Sequence, residues 1–227
     1  GKVYGSEAYN DNADEALQVF GGYGFSEEYP PAKMYRDSRI TRIYEGTNEI
    51  CRLYAQRAIF KRLAGAGAGP GAPETGHEGA AAGALEAVAH LKQIYFMLVQ
   101  EVVTGLGPEK LKDPDNQQFL ASLADVAMEI YAAESVALRV AKLHGTGSAE
   151  AAAVRAGLAA LALDRSAERV RAEARTVLGE LHPGDDGAQG LADVDALLPP
   201  PGALVGIRAQ VSRWLVARQG LLPGEAE

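Results

Sequence analysis

The fold and the chemistry of this chain are decided by the stretch IYEGTNEI at residues 43–50. Glu45 precedes Gly46, whose missing side chain lets a ligand approach the backbone closely. Thr47 or Asn48 can cap a helix that begins here, so the free N–H groups of its first turn can face a polar ligand. Partial desolvation raises the pKa of a carboxyl group toward working pH, which makes Glu45 a candidate proton acceptor. The alternative is that Glu45 and Glu49 only supply the negative charge that favours a helix N-terminus.

Further motifs stand beside this stretch in a fixed order. They are QVFGGYGF at residues 18–25, EYP at 28–30 and YRDSRI at 35–40, with Arg52 following the central stretch. This order and spacing resemble the C-terminal signature of the acyl-CoA dehydrogenase family, the flavoenzymes that desaturate fatty acyl thioesters. The resemblance covers residues 1–63 and implies an all-α fold, the helical bundle of the family's C-terminal domain.

Composition limits the other function classes. The net charge of −8 argues against an electrostatic nucleic-acid surface. The single cysteine, Cys51, permits no internal disulfide and favours a reducing compartment. We expect a cytoplasmic protein if the source is bacterial and a mitochondrial matrix protein if it is eukaryotic. The sequence shows no signal peptide and no long apolar run. Because Gly1 already lies inside a motif-bearing helix, we expect a piece of a longer protein.

Hydrophobic periodicity predicts three segments. Residues 1–63 are predicted to hold helices over 1–20, over 32–41 and from the central stretch to about Leu63, and the resemblance implies that they are the end of the catalytic domain. Residues 64–79, rich in Gly, Ala and Pro, are predicted to be a flexible linker. Residues 80–227 are predicted to form a second antiparallel helical bundle, with three long helices, a loop containing a turn at 185–187, and a last helix. The histidines show no paired spacing, so no metal site is expected; His144 and His182 sit at helix ends.

The second half has a resemblance of its own. Residues 118–131 and 215–220 look like the extra C-terminal helical domain of the very-long-chain branch of the family. That domain is associated in the family with dimer stabilisation and with membranes. We do not expect a membrane role, because the linker lacks both large apolar residues and a basic face.

The resemblance implies a reaction and a set of site residues. A carboxylate removes the α-proton of an acyl-CoA while the β-hydrogen leaves as hydride to FAD, giving a trans-2-enoyl-CoA as in fatty acid β-oxidation. Electron-transfer flavoprotein is the implied electron acceptor, and a homodimer or higher homo-oligomer is implied because the glycine motif contacts the FAD of the partner subunit. The implied roles are base for Glu45, substrate contact for Tyr44 and Gly46, and FAD contact for Thr47, Asn48, Glu49, Gln18, Val19, Phe20, Gly21 and Gly22.

Two alternatives stay open. A paralogue in the same branch serves respiratory complex assembly, so the chain could belong to a non-catalytic helical interaction protein, although such a role needs neither Glu45 nor the glycine motif. A peroxisomal-type acyl-CoA oxidase would use similar chemistry with oxygen as the acceptor. In either enzyme this piece alone should not turn over, because the family's N-terminal helical and β-barrel domains are absent. Arg36 and Asp37 are predicted to brace the loop that carries Glu45.

Overall fold

The structure is a computed structural model that describes residues 1–66, 79–199, 202 and 204–218. Every regular element in these ranges is a helix, which confirms the all-α prediction. The chain divides into two compact units, Gly1–Arg62 and Leu63–Glu227. Within the described ranges, no helix is long and apolar enough to cross a bilayer.

The first unit contains four helices, of which Gly21 ends the first and Pro30 begins the third. Its elements are α1 (Lys2–Phe20), α2 (Gly22–Phe25), α3 (Pro30–Ile40) and α4 (Asn48–Ala66). Helix α1 ends at Phe20, where the predicted helix over residues 1–20 also ends, and Gly21 directly after it adopts φ 60°. Gly24 is required by packing, because a Cβ there would lie 2.4 Å from the carbonyl oxygen of Leu17.

Polar side chains do much of the packing in the first unit. Asn10 on α1 donates from Nδ2 to the carbonyl oxygens of Ser6, at 2.9 Å, and of Ser38 on α3, at 2.8 Å. The large apolar side chains are mostly outside, and twelve of them are exposed within residues 1–62, all of which the structure describes. They are Val19, Phe20, Tyr23, Phe25, Tyr29, Met34, Tyr35, Ile40, Ile43, Tyr44, Ile50 and Tyr54. The first unit therefore exposes most of its large apolar side chains.

The second unit has an apolar core between three long helices. These are α5 (Ala80–Lys110), α6 (Gln117–Lys142) and α7 (Ala149–Leu181), and each of them packs against the other two. Their facing sides bury a row of aliphatic side chains, namely Leu91, Ile94, Leu98, Leu123, Val126, Val170 and Val177. A 3-10 turn, Pro114–Asn116, precedes α6, and the Oγ atom of Ser148 caps α7 by accepting from the Ala151 N–H at 3.2 Å. The three long helices predicted for this part of the chain are confirmed.

Two shorter helices pack on α7. They are α8 (Asp185–Leu197) and α9 (Leu204–Ala217). Gly157 on α7 allows the close approach of α9, because a Cβ there would lie 3.0 Å from Cγ2 of Ile207. Trp214 of α9 is buried in this contact together with Val154 of α7.

Two boundaries differ from the predictions. The turn predicted at residues 185–187 is wrong: these residues form the first turn of α8, where the carboxylates of Asp185 and Asp186 suit the positive end of the helix. Gly187 fits there because a Cβ would lie 2.2 Å from the carbonyl oxygen of His182. The helix predicted to end at about Leu63 is longer than expected, since α4 continues through Ala66. Residues 67–78 lie outside the described part of the chain.

Candidate functional site

The candidate base lies in a turn of unusual backbone conformation between α3 and α4. Glu45 has φ 55°, and among the described residues it is the one non-glycine residue with a positive φ. Gly46, which follows it, has φ 88°. A residue with a Cβ in this region costs of the order of 1–3 kcal/mol, and such strain persists only where the surroundings hold it.

Backbone hydrogen bonds fix both ends of this turn. The N–H groups of Ile43 and Tyr44 donate to the carbonyl oxygen of Ile40, at 2.9 and 3.2 Å. The Asn48 N–H donates to the carbonyl oxygen of Arg42 at 3.0 Å. The turn is therefore closed across Glu45 by the residues on either side.

Thr47, rather than Asn48, supplies the side-chain contact to the first turn of α4. Its Oγ1 lies 3.4 Å from the N–H of Ile50, and its carbonyl oxygen accepts from the N–H of Cys51 at 2.9 Å. The pKa of Glu49 lies below its ordinary value, chiefly because its own backbone N–H donates to the carboxylate and secondly because the Thr47 hydroxyl does.

Asn48 is buried, and its side chain is used inside the unit. Its Oδ1 accepts from Nζ of Lys2 at 2.7 Å and from Oγ of Ser6 at 3.2 Å. Its Nδ2 donates to Oε1 of Glu7 at 2.8 Å and lies 2.8 Å from Oγ of Ser6. With both polar atoms engaged in this way, Asn48 has only its backbone left for the flavin contact that the sequence predicts.

A cluster of charges extends this arrangement around Glu7 of α1. The Glu7 carboxylate lies 2.5 Å from Nη2 of Arg42 and 3.7 Å from Nη2 of Arg52. Arg42 directly precedes the turn and Arg52 lies in the second turn of α4, so Glu7 joins the segments on both sides of Glu45. Sequence reasoning missed this cluster. The sequence feature that could have indicated it is the spacing of Lys2, Ser6 and Asn10, which places three polar residues on one side of α1.

Arg36 and Asp37 do not brace the turn as predicted. Arg36 pairs with Glu27 at 3.6 Å, and Asp37 pairs with Lys33 within α3. All four side chains are exposed. Arg36 and Asp37 are near Glu45 in the sequence, but they lie on the exposed side of α3 and pair with other residues there.

The carboxylate of Glu45 and the ring of Tyr44 are both exposed. Desolvation of a base requires apolar cover, and the described residues leave this side chain in solvent. The same holds for the predicted FAD-binding residues of the glycine bend, since Gln18, Val19, Phe20, Gly21 and Gly22 are all exposed.

The two halves of the predicted site lie at opposite ends of α1. Lys2, at its start, donates from Nζ to the carbonyl oxygen of Gly46 at 2.8 Å, whereas Gly21 follows its last residue. At 1.5 Å per residue, a helix of 19 residues is about 28 Å long. One copy of the chain therefore does not bring the glycine bend to Glu45.

Other candidate features do not form a site. A cleft of about 500 Å³ in the first unit is lined by Leu17, Phe25, Glu27, Ala32, Lys33, Tyr35 and Arg36, so it includes none of the predicted site residues. The structure's described residues contain no group of side chains that could hold a metal ion. His182 follows α7, as predicted, and its Nε2 lies 2.8 Å from the Glu101 carboxylate of α5.

Comparison with known protein families gives one match in each of the two units. Two family models, each described as "Acyl-CoA dehydrogenase, C-terminal domain", match residues 1–60 and residues 90–194. Residues 1–60 and 90–194 therefore belong to the acyl-CoA dehydrogenase C-terminal domain family.

The individual relatives are longer than this chain. A probable acyl-CoA dehydrogenase of Bacillus subtilis (strain 168) is 33% identical over 211 residues, which cover 81% of this chain and 33% of the relative. A short-chain specific acyl-CoA dehydrogenase of Megasphaera elsdenii is 69% identical over 47 residues, 21% of this chain and 12% of the relative. The crystal structure of an acyl-CoA dehydrogenase from Bacillus anthracis in complex with FAD is similar to this chain, with a TM-score of 0.84 and 28% sequence identity. The match covers 96% of this chain and 37% of the Bacillus anthracis chain. The chain thus spans about a third, or less, of the length of these proteins.

Proposed function

We propose that the full-length protein is an FAD-dependent acyl-CoA dehydrogenase, which converts a fatty acyl-CoA to its trans-2-enoyl-CoA in fatty acid β-oxidation. The observation that carries this proposal is the conformation of Glu45. A carboxylate is held in a left-handed turn, beside a glycine backbone, by contacts from α1 and α4. A carboxylate that only supplies negative charge at a helix N-terminus does not require a strained backbone.

In the proposed reaction Glu45 accepts the α-proton of the substrate. The α-carbon to hydrogen bond breaks, its electron pair forms the new double bond, and the hydrogen of the β-carbon departs with its own electron pair. FAD, when bound, takes up that hydride. Gly46 leaves room for the thioester to lie against the backbone, and the ring of Tyr44 lines the acyl chain.

Residues of this chain suit a flat polar cofactor. At Gly21 and Gly22 no other atoms lie within 4 Å of the position that a Cβ would take, and both residues are exposed. A flavin can therefore lie against this bare backbone, beside the amide of Gln18. Thr47 and Glu49 stand at the start of α4, close to Gly46, and would contact a flavin that the glycine bend of a second copy also meets.

The exposure of Glu45 requires cover from outside the described residues. Substrate binding and the remainder of the full-length protein would bury the carboxylate, raising its basicity by excluding water. The twelve exposed apolar side chains of the first unit support such cover, because contact with further protein or with substrate would remove them from water.

The length of α1 supports a homodimer or a higher homo-oligomer. Because the glycine bend follows the last residue of α1 and the Glu45 turn contacts its start, a flavin beside Glu45 would meet the bend of a second copy. Electron-transfer flavoprotein is the proposed acceptor of the electrons. Its support is the family resemblance alone.

A preference for long acyl chains is the finer proposal. Its support is the second helical unit, which resembles the extra domain of the very-long-chain branch. The relatives do not support that branch, because their names state either a short-chain specificity or no chain length. Turnover against acyl-CoAs of increasing length tests the preference, and a maximum at short chains would contradict it.

The second candidate function is a non-catalytic interaction protein, which the exposed Glu45 and the apolar first unit favour. Purification of the full-length protein separates the two. The dehydrogenase is expected to be yellow and to be bleached by saturated acyl-CoA in the absence of oxygen, whereas a colourless protein supports the interaction role. Rapid hydrogen peroxide formation in air would instead indicate an oxidase.

A further inference from the structure

We infer that Lys2 is a positioning residue for Glu45. Its ammonium group lies 2.8 Å from the carbonyl oxygen of Gly46 and 2.7 Å from Oδ1 of Asn48, so it ties the start of α1 to the residue after the base. The inference rests on the proposed function, since Lys2 acts on the reaction only through the carboxylate of Glu45.

The turn needs such a tie because its conformation is unfavourable for a residue with a side chain. Glu45 at φ 55° places its Cβ close to the backbone, and a free chain would relax to a negative φ. The hydrogen bond from Lys2 fixes the peptide group of Gly46, which directly follows that strained residue. A charged donor forms a stronger hydrogen bond than a neutral one. The other contact to this carbonyl oxygen, from Sγ of Cys51, is longer at 3.5 Å.

Lys2 is itself held in place, although lysine side chains are flexible. Its ammonium group is shared between Gly46 and Asn48, and the amide of Asn48 is fixed by Ser6 and Glu7. Ser6 and Glu7 belong to the first two turns of α1, the same helix that carries Lys2. The ammonium group, the turn and the helix therefore form one rigid arrangement that sets where the Glu45 carboxylate points.

Substitution of Lys2 by methionine tests the inference in the full-length, FAD-loaded protein. Lys2→Met keeps the aliphatic stem and removes the donor. Because a misplacement of about 1 Å can cost about a hundredfold in rate, kcat is expected to fall roughly 10- to 100-fold. The KM for acyl-CoA and the flavin content should remain at wild-type values. Lys2→Arg, which keeps a charged donor, should recover most of the rate.

An isotope effect separates positioning from general damage. Removal of the α-proton should become slower in Lys2→Met, so the effect of α-deuterium on kcat is expected to exceed that of the wild type. Lys92→Met is the matched control, because Lys92 is also partly buried and paired, with Glu134, but lies in the second unit. Its kcat and its isotope effect should equal those of the wild type.

The outcomes are distinguishable from a failure of the proposed function. If Glu45→Gln abolishes turnover while Lys2→Met keeps wild-type kcat, the positioning role is overturned and the base assignment stands. If Glu45→Gln itself turns over normally, both are overturned. A parallel loss of flavin and rate with an unchanged isotope effect would show a purely structural role and also overturns the inference. Should Lys2→Met not fold, Lys2→Leu, which also lacks a donor, is measured with the same expectations.

Discussion

The Nζ atom of Lys2 lies 2.8 Å from the carbonyl oxygen of Gly46, although 44 positions separate the two residues in the sequence. This contact joins the start of α1 to the turn that carries the candidate base. It also brings Asn48 into the same hydrogen-bond network, 2.7 Å from the ammonium group. The environment of Glu45 is thus set by the N-terminal end of α1, whereas the glycine motif follows the C-terminal end of the same helix.

Removal of the Asn48 side chain should destabilise the protein. Asn48→Ala removes hydrogen bonds to buried Ser6 and to partly buried Glu7, and each such bond contributes about 0.5–1.5 kcal/mol to the free energy of unfolding. Chemical denaturation of the full-length protein measures the loss. Asn12→Ala is the control, since Asn12 is exposed and bonds only within its own helix, to the carbonyl oxygen of Ala8. Equal stability of the two variants would contradict this account of Asn48.

Two glycines of the first unit should respond to alanine in opposite directions. Gly24→Ala places a Cβ 2.4 Å from the carbonyl oxygen of Leu17, so backbone must shift and stability must fall. A Cβ added by Gly5→Ala inside α1 would meet no described atom within 4 Å beyond its own stretch of helix, so the change should stabilise the protein by about 0.5–1 kcal/mol. Thermal denaturation of both variants checks the signs. A stabilising Gly24→Ala would show that α2 does not pack on α1 as described.

The buried carboxylate of the second unit should contribute to its stability. Glu129 of α6 accepts from Oγ of Ser166 at 2.9 Å and from Nη1 of Arg169 at 2.8 Å, both on α7. Glu129→Ala is expected to lower the free energy of unfolding by about 1–3 kcal/mol, because Ser166 is buried and loses its partner. Glu168→Ala removes an exposed carboxylate from an ion pair with Arg171 and should cost at most about 1 kcal/mol. The reverse order would contradict the role assigned to Glu129.

The stabilising effect of Glu49 should depend on pH. Its pKa is lower in the folded protein than the ordinary value of 4.5, so the carboxylate stabilises the fold above that pH. The contribution is lost as pH falls through the lowered pKa of the folded state. The stability difference between the wild type and Glu49→Gln should therefore be largest near neutral pH and shrink in acid. A difference that grows on acidification would contradict the direction of the shift.

Local signals predicted the helices, and long-range contacts escaped prediction. Gly21 and Ser148 end and begin helices through their own backbone and side-chain chemistry, so their positions could be inferred from neighbouring residues. The first turn of α8 was misread because Asp and Gly are common both in loops and at helix N-termini. The inward direction of Asn48 could not be inferred, since it depends on where α1 lies. The exposure of Glu45 depends on which groups cover the turn, and its neighbours in the sequence do not determine that.

The most direct test of the central claim is the turnover of Glu45→Gln in the full-length protein, measured with a saturated acyl-CoA. Glutamine keeps the size of the side chain and cannot accept the α-proton as a carboxylate does. Positioned general bases contribute about 10²- to 10⁴-fold, so kcat should fall by that factor while the flavin remains bound. Turnover near that of the wild type would contradict the assignment of Glu45 as the base.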